Sequence, residues 1–384
     1  MAEIKNIKKA VERITKAIKE REKIILYGDA DMDGISAVII LKEAIQYLGG
    51  DITDVYFPDR EIEGYGLNED ALGFLKKHVP ALLILLDCGI SNLNEVKIAK
   101  KTGFEVMVID HHKTLQRLPP ASIIVNPKQK GDKYPFKEFA AAGVVFKLVE
   151  VLLKEKMNAL LRNDFLELAA LATIADMMPQ VEDNTLIVEE GLRSLKNTAR
   201  LALQAFWEID PVIKDNINQF AQKIILACNA SNGKNHSNEA YLLLAAKSIE
   251  EAEDMARHLL DKAYDRRLQI KEIVEKIEEM VLRHMKENII FEGEDWWPVL
   301  MLGPAASKIC HAYRKPVFLY NQKNGVCQGA VRTPKGMDGV KAMMKCSKML
   351  ETYGGHPQAA GFRIKEKDLP AFKECLIKYF KNQN

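Results

Sequence analysis

Asp29, Asp31 and Asp33 alternate in the segment DADMDG, Asp87 follows the apolar run Leu82 to Leu86, and Asp110-His111-His112 follows Val106 to Ile109. DADMDG itself follows the run Ile24 to Tyr27, so each cluster stands where a strand-like run gives way to a loop. Carboxylate oxygens with an imidazole are hard-to-borderline ligands, suited to Mn2+ or Mg2+ more than to a thiolate-bound metal. Two such ions a few ångströms apart activate a water and neutralise charge on phosphorus. The chemistry to expect is phosphoester hydrolysis at a two-metal site.

Asp31 and Asp33 are one residue apart and precede Gly34, whose missing side chain permits close backbone approach. DADMDG begins like a calcium loop. An EF-hand, however, needs a glutamate at its twelfth position, which counted from Asp29 is Ile40, and a helix before the loop where this chain has a strand-like run. That reading is excluded. Adjacent side chains diverge on any regular element, so one of His111 and His112 can ligate metal while the other meets substrate. Asp176, alone in LATIADMMP, is a further candidate, because a carboxylate among Ala, Ile and Met needs a metal, a cap or a salt bridge.

The elements that must position these groups read as strands at 23–28, 53–57, 81–87, 104–109 and 122–125, with helices at 35–48, 68–78 and 92–102 between them. Such alternation predicts an α/β fold: a parallel sheet with helices on both faces, whose ligands bind beyond the carboxyl ends of the strands. An amphipathic helix precedes it, with Ile7, Ala10, Val11, Ile14, Ala17 and Ile18 on one face. From about 139 the pattern is helical, and a charged stretch at 249–288 reads as a solvated helix or strut. Strands recur at Val299 to Leu302, Pro316 to Tyr320, Gly325 to Val331 and Gly361 to Ile364, with helices near 338–347 and 369–381, as in a smaller α/β domain. The division expected is 1–200, a helical linker and start of the C-terminal region over 201–288, and 289–384.

The 384 residues are 47% hydrophobic, 28% charged and 7% aromatic, enough for two sizeable cores and too apolar for wholesale disorder. A net charge of +2 means that a nucleic acid must be met by a local patch or by metal ions. Six scattered cysteines without a C-x-x-C pair argue against a zinc ribbon or disulfide framework and favour a reducing compartment. With neither a signal-peptide core nor a span of membrane length, the expected location is cytoplasmic, with no membrane partner.

Six ordered segments carry a resemblance: GDADMDGISA, FPDREIEGYGLN, LLDCGIS, VIDHHKT, ALATIADMMP and, near the end, GGHPQAAGF. Together they resemble the DHH phosphoesterase superfamily, and within it the RecJ-like single-strand-specific exonucleases. The resemblance implies a DHH catalytic domain and a C-terminal DHH-associated domain. It implies Asp31 and Asp87 on one metal and Asp33, Asp87, His111 and Asp176 on the other, with Asp29 a further ligand. Asp110 would orient the imidazoles, and His112 would contact the scissile phosphate. Arg60, Arg332, Gly354, Gly355 and His356 look like phosphate-binding residues. The cofactors implied are two Mn2+ ions, with Mg2+ the alternative.

The chain departs from the family where Ala330-Val331-Arg332 replaces the usual Ser-x-Arg, and where Trp296-Trp297-Pro298-Val299 and Lys308 replace W-H-P-G and its following Arg. The expected function is a metal-dependent exonuclease on single-stranded DNA or RNA, serving DNA repair or replication with a partner protein of that machinery. Alternatives are a phosphodiesterase for short oligonucleotides or cyclic dinucleotides, and a replisome scaffold with residual nuclease activity.

Overall fold

A strand covered on both faces can be apolar at every position, and the runs before the three acidic clusters are of that kind. In the computed structural model, which describes residues 3–60, 62–114, 117–211, 216–283, 287–323 and 325–381, they are central strands of one sheet. Strands β1 (Ile24–Gly28), β2 (Asp54–Tyr56), β3 (Ala81–Leu86), β4 (Phe104–Ile109) and β5 (Ile123–Val125) are all parallel, in the order β2-β1-β3-β4-β5.

Alternate residues serve the two faces, as the two-residue period of a strand requires. Ile24, Leu26, Leu82, Ile84, Leu86, Met107 and Ile109 pack with the helices Ile7–Glu20, Met32–Tyr47, Ala141–Leu153 and Ala159–Ala175. Ile25, Tyr27, Leu83, Leu85, Val106 and Val108 face the helices Glu69–Leu75 and Leu93–Thr102. Each fully buried Leu or Ile contributes about 1.5–3 kcal/mol, which holds the strand ends, and so the clusters, in fixed register.

The chain divides into two compact units, Met1–Ala263 and Tyr264–Asn384. Residues 201–248, placed by the sequence reading in the linker, contribute Leu203, Phe206, Phe220, Ile224 and Tyr241 to the first unit's core. They include a short antiparallel ribbon of β6 (Gly233–Lys234) and β7 (Ser237–Asn238). The charged stretch is one helix, Ile249–Arg283; Ala252, Ala256 and Leu259 pack into the first core, and Ile273, Ile277 and Val281 into the second unit.

The second unit holds a five-stranded sheet of β8 (Ile290–Glu294), β9 (Val317–Lys323), β10 (Val326–Arg332), β11 (Leu350–His356) and β12 (Ala359–Lys365), in the order β11-β12-β10-β9-β8. Only the β8–β9 pair is parallel. Val299 to Leu302, expected as a strand, instead opens the helix Val299–Tyr313. Met301, Leu302, Ala305, Ala306 and Ile309 are buried at helical spacing, a pattern that a four-residue apolar run does not reveal.

Trp297 is fully buried and belongs to this core, whereas Trp296 is 45% exposed. The scattered cysteines suggested no disulfide, yet Cys346 and Cys375 are joined, their Cα atoms 6.1 Å apart. That pair is a product of tertiary packing across 29 residues, not of local spacing. Among the described residues, no helix is long and apolar enough to cross a membrane.

Candidate metal centre

The ladder of the first sheet continues one residue past the strands. The backbone N–H of Asp29 donates to Leu86 O (3.2 Å), that of Asp87 to Ile109 O (3.0 Å) and that of Asp110 to Val125 O (3.1 Å). Parallel register therefore sets three aspartates, far apart in sequence, in one row at the carboxyl edge. Asp87 is in the left-handed region at φ 60°, which costs a non-glycine residue about 1–3 kcal/mol. Strain of this size is retained where surrounding structure fixes a side chain's direction.

Asp31 caps the helix Met32–Tyr47, its Oδ1 accepting from the N–H groups of Asp33 (3.0 Å) and Gly34 (3.1 Å). A Cβ at Gly34 would lie 2.3 Å from Asp29 O, so the turn between the first two acidic positions has no room for a side chain there. Asp33, in the first turn of the helix, accepts from the N–H groups of Ala141 (2.7 Å) and Ala142 (2.8 Å). It thus ties the start of the helix Ala141–Leu153 to the acidic loop.

His111 points its Nε2 into this cluster, 3.3 Å from Asp87 Oδ1, 3.5 Å from Asp176 Oδ2 and 3.7 Å from Asp33 Oδ2. His112 places its Nδ1 2.8 Å from Asp110 Oδ1 and 3.7 Å from Asp87 Oδ1. Asp110 also accepts the N–H groups of His111 (2.7 Å), His112 (3.0 Å) and Ile90 (3.0 Å). It is fully buried and anchors the His112 imidazole and the backbone of both histidines. Asp176 caps the C-terminal end of the helix Ala159–Ala175 and joins Asp33 and His111 in the cluster.

Electrostatics match this crowding. Burial, with Asp31 adding to it, pushes Asp33 up to about 7, and burial and Asp33 raise Asp176 to about 6. Burial and the neighbouring carboxylates hold Asp87 well above the usual carboxylate range. Burial works against charge on the Asp110–His112 pair as well, but their mutual bond prevails: Asp110 falls to about 2 and His112 rises to about 9. A ring of carboxylates in low dielectric favours protons or cations.

The donor set fits divalent cations. Three triads, Asp29/Asp31/Asp87, Asp33/His111/Asp176 and Asp87/His111/His112, each offer ligand atoms within 4.8 Å of one another. Asp87 is common to two of them. Its Oδ1 and Asp176 Oδ2 are buried without a hydrogen bond from any described residue. Buried oxygens of that kind are costly unless a cation or donor meets them.

Arg60 lies at the same row, its guanidinium paired with both oxygens of Asp29 and with Asp31 Oδ2 (2.9 Å). The structure thus gathers Asp29, Asp31, Asp33, Arg60, Asp87, Asp110, His111, His112 and Asp176 in the first unit. Arg332, Gly354, Gly355 and His356 belong to the second, where Arg332 ends β10 and the other three end the exposed strand β11.

One residue at the centre had no role from sequence. Tyr65 Oη donates to the backbone carbonyl of Asp87 (3.0 Å) and lies 3.2 Å from His112 Nδ1. The only signal was its place in EGYGLN, a segment noted for resemblance but not for chemistry.

Residues 23–173 match the DHH family, N-terminal domain, and residues 286–382 match the DHHA1 domain. The single-stranded-DNA-specific exonuclease RecJ of Bacillus subtilis is 34% identical over 379 residues, covering 97% of this chain and 48% of that protein. The chain thus spans about half the length of that relative. The crystal structure of exonuclease RecJ bound to manganese is similar with a TM-score of 0.84 at 28% identity, covering 99% of this chain and 95% of that one. RecJ of Thermus thermophilus in complex with Mn2+ gives 0.83 at 26% identity, covering 99% of this chain and 55% of that one.

Proposed function

The chain carries a DHH family N-terminal domain followed by a DHHA1 domain, and from that pairing we propose that it is a metal-dependent exonuclease of single-stranded DNA. The observation that carries the proposal is the carboxylate row at the ends of β1, β3 and β4, with buried oxygens of Asp87 and Asp176 that no described residue satisfies. Relatives named as single-stranded-DNA-specific exonucleases, and a similar structure named as manganese-bound, support the substrate and the metal.

In this reading Asp29, Asp31 and Asp87 would hold one Mn2+, and Asp33, Asp87, His111 and Asp176 would hold the other. Mg2+ suits the same oxygens. Bound there, the ions would lower the pKa of a water and offset charge on the phosphoryl group. Asp110 keeps His112 protonated and aimed, so that its imidazolium donates to an oxygen of the scissile phosphate. Arg60 is held beside the same row by Asp29 and Asp31, and its Nη1 donors, which these carboxylates do not use, would meet a phosphate. In the second unit Arg332, Gly354, Gly355 and His356 bind the strand. Work on chromosomal single strands would put the protein in the cytoplasm, in repair or replication and beside proteins of that machinery.

The test is digestion with Mn2+ of single-stranded DNA, matched RNA and duplex DNA, each labelled at either end, with Asp87→Ala as control. The expected result is stepwise release of mononucleotides from single-stranded DNA, absent in a folded Asp87→Ala. Release confined to very short oligonucleotides would replace the proposal by the phosphodiesterase reading. No cleavage by folded, metal-bound protein would contradict it outright.

A further inference from the structure

The chain lacks the hydroxyl expected two residues before Arg332, since Ala330 stands there. The second unit's sheet shows where another one comes from. His356 pairs across β11–β12 with Ala359, Ala359 across β12–β10 with Arg332, and Arg332 across β10–β9 with Val317. Directly opposed residues share a face, and Val317 packs in the core that the helix Val299–Tyr313 supplies with Leu302, Ala306 and Ile309. Arg332 therefore emerges on the face that this helix covers.

Contacts with that helix are specific. Arg332 Nε donates to Ser307 Oγ at 3.0 Å, and Nη1 donates to Val331 O at 2.9 Å. A Cβ at Gly303, one turn before Ser307, would lie 2.9 Å from Arg332 Nη2, so the glycine makes room for the guanidinium. Arg332 is partly buried, and no carboxylate among the described residues forms an ion pair with it. A guanidinium has five N–H donors; two are used here, and three remain for a ligand.

Ser307 accepts from Arg332, while its own O–H donates to no acceptor among the described residues. It is exposed. The hydroxyl proton can therefore turn to the same anion that the free guanidinium N–H groups meet. Resting on the strand-binding reading above, we propose that Ser307 and Arg332 form a phosphate-binding site in which Ser307 supplies the hydroxyl that position 330 lacks. The ligand is a phosphate of the nucleic-acid strand, either a terminal monoester or an internal diester.

Equilibrium binding of the full chain to labelled oligothymidylate, in chelator so that no hydrolysis intervenes, tests this. Three strands are compared: 5′-phosphorylated, 3′-phosphorylated and without a terminal phosphate. Ser307→Ala, which removes the hydroxyl and the Nε partner together, should weaken binding at least about tenfold, the scale of one lost charge-assisted hydrogen bond. Ser307→Thr should restore it to within about twofold, which a loss of folding would not allow. A deficit confined to one phosphorylated strand identifies a terminal phosphate; an equal deficit on all three identifies an internal one.

Ser307→Ala binding all three strands as wild type does would overturn the proposal. So would wild type binding none of them better than Arg332→Ala does. Strand binding with the Ser307 deficit but without cleavage under Mn2+ would sink the exonuclease reading and leave this site standing.

Discussion

Two side chains at the centre are held by partners rather than by metal, and each makes a separable prediction. His112 is raised to about 9 because Asp110 outweighs burial, so in metal-free protein it is protonated well above its ordinary 6.5. A raised folded pKa contributes stability that is complete below 6.5 and lost as pH rises through about 9. Asp110→Asn should bring the His112 imidazole titration, followed by NMR in chelator, down toward ~6.5; an unmoved titration would remove Asp110 from its role. Tyr65 braces the carbonyl of Asp87 and lies beside His112 without being a proposed ligand. Tyr65→Phe keeps the ring and should lower kcat about tenfold with KM nearly unchanged, whereas a rise in KM alone would make the phenol a strand contact.

At the scale of elements, the acidic loop depends on a turn that only glycine fits. Gly34→Ala places a methyl 2.3 Å from Asp29 O, a backbone atom that cannot swing aside. The variant should lose most Mn2+ affinity while keeping its far-UV spectrum, as calorimetric titration and circular dichroism would show; wild-type affinity would mean that the loop adapts freely. Much of this architecture was legible in the sequence, because a covered parallel strand is apolar at every position and an aspartate just past it must lie at the sheet's carboxyl edge. The sheet's strands and the acidic row were readable on that ground. What escaped had no such local signature. Strand β11, with Glu351, Thr352 and two glycines, is exposed and carries no alternation. The run at Val299 could not be told from a buried helix, and Tyr65 reaches the site only because its loop folds back over Asp87. Ser307 meets Arg332 across 25 residues, a distance that no spacing rule spans.

For the whole molecule, the carboxylate row couples folding to pH and to metal. Asp33 at about 7 and Asp176 at about 6 hold protons that an ordinary carboxyl, at 3.8, would have released. Their raised values mean that the contribution of these two carboxyls to metal-free stability is greatest below 3.8 and falls as pH rises through about 6 and 7. Metal binding requires the deprotonated oxygens and stabilises only the folded chain. The gain in Tm on adding Mn2+ should therefore be larger near pH ~8 than near pH ~5; equal gains would show that the ions bind elsewhere. The central claim is that this row holds two metal ions through a shared Asp87 and that hydrolysis depends on them. The most direct test is calorimetric titration of chelator-treated protein with Mn2+, with cleavage of single-stranded DNA measured on the same samples. About two ions should bind per chain, activity should appear only as the second binds, and both should be lost in Asp87→Asn. Full activity with one ion bound, or two ions retained by active Asp87→Asn, would contradict it.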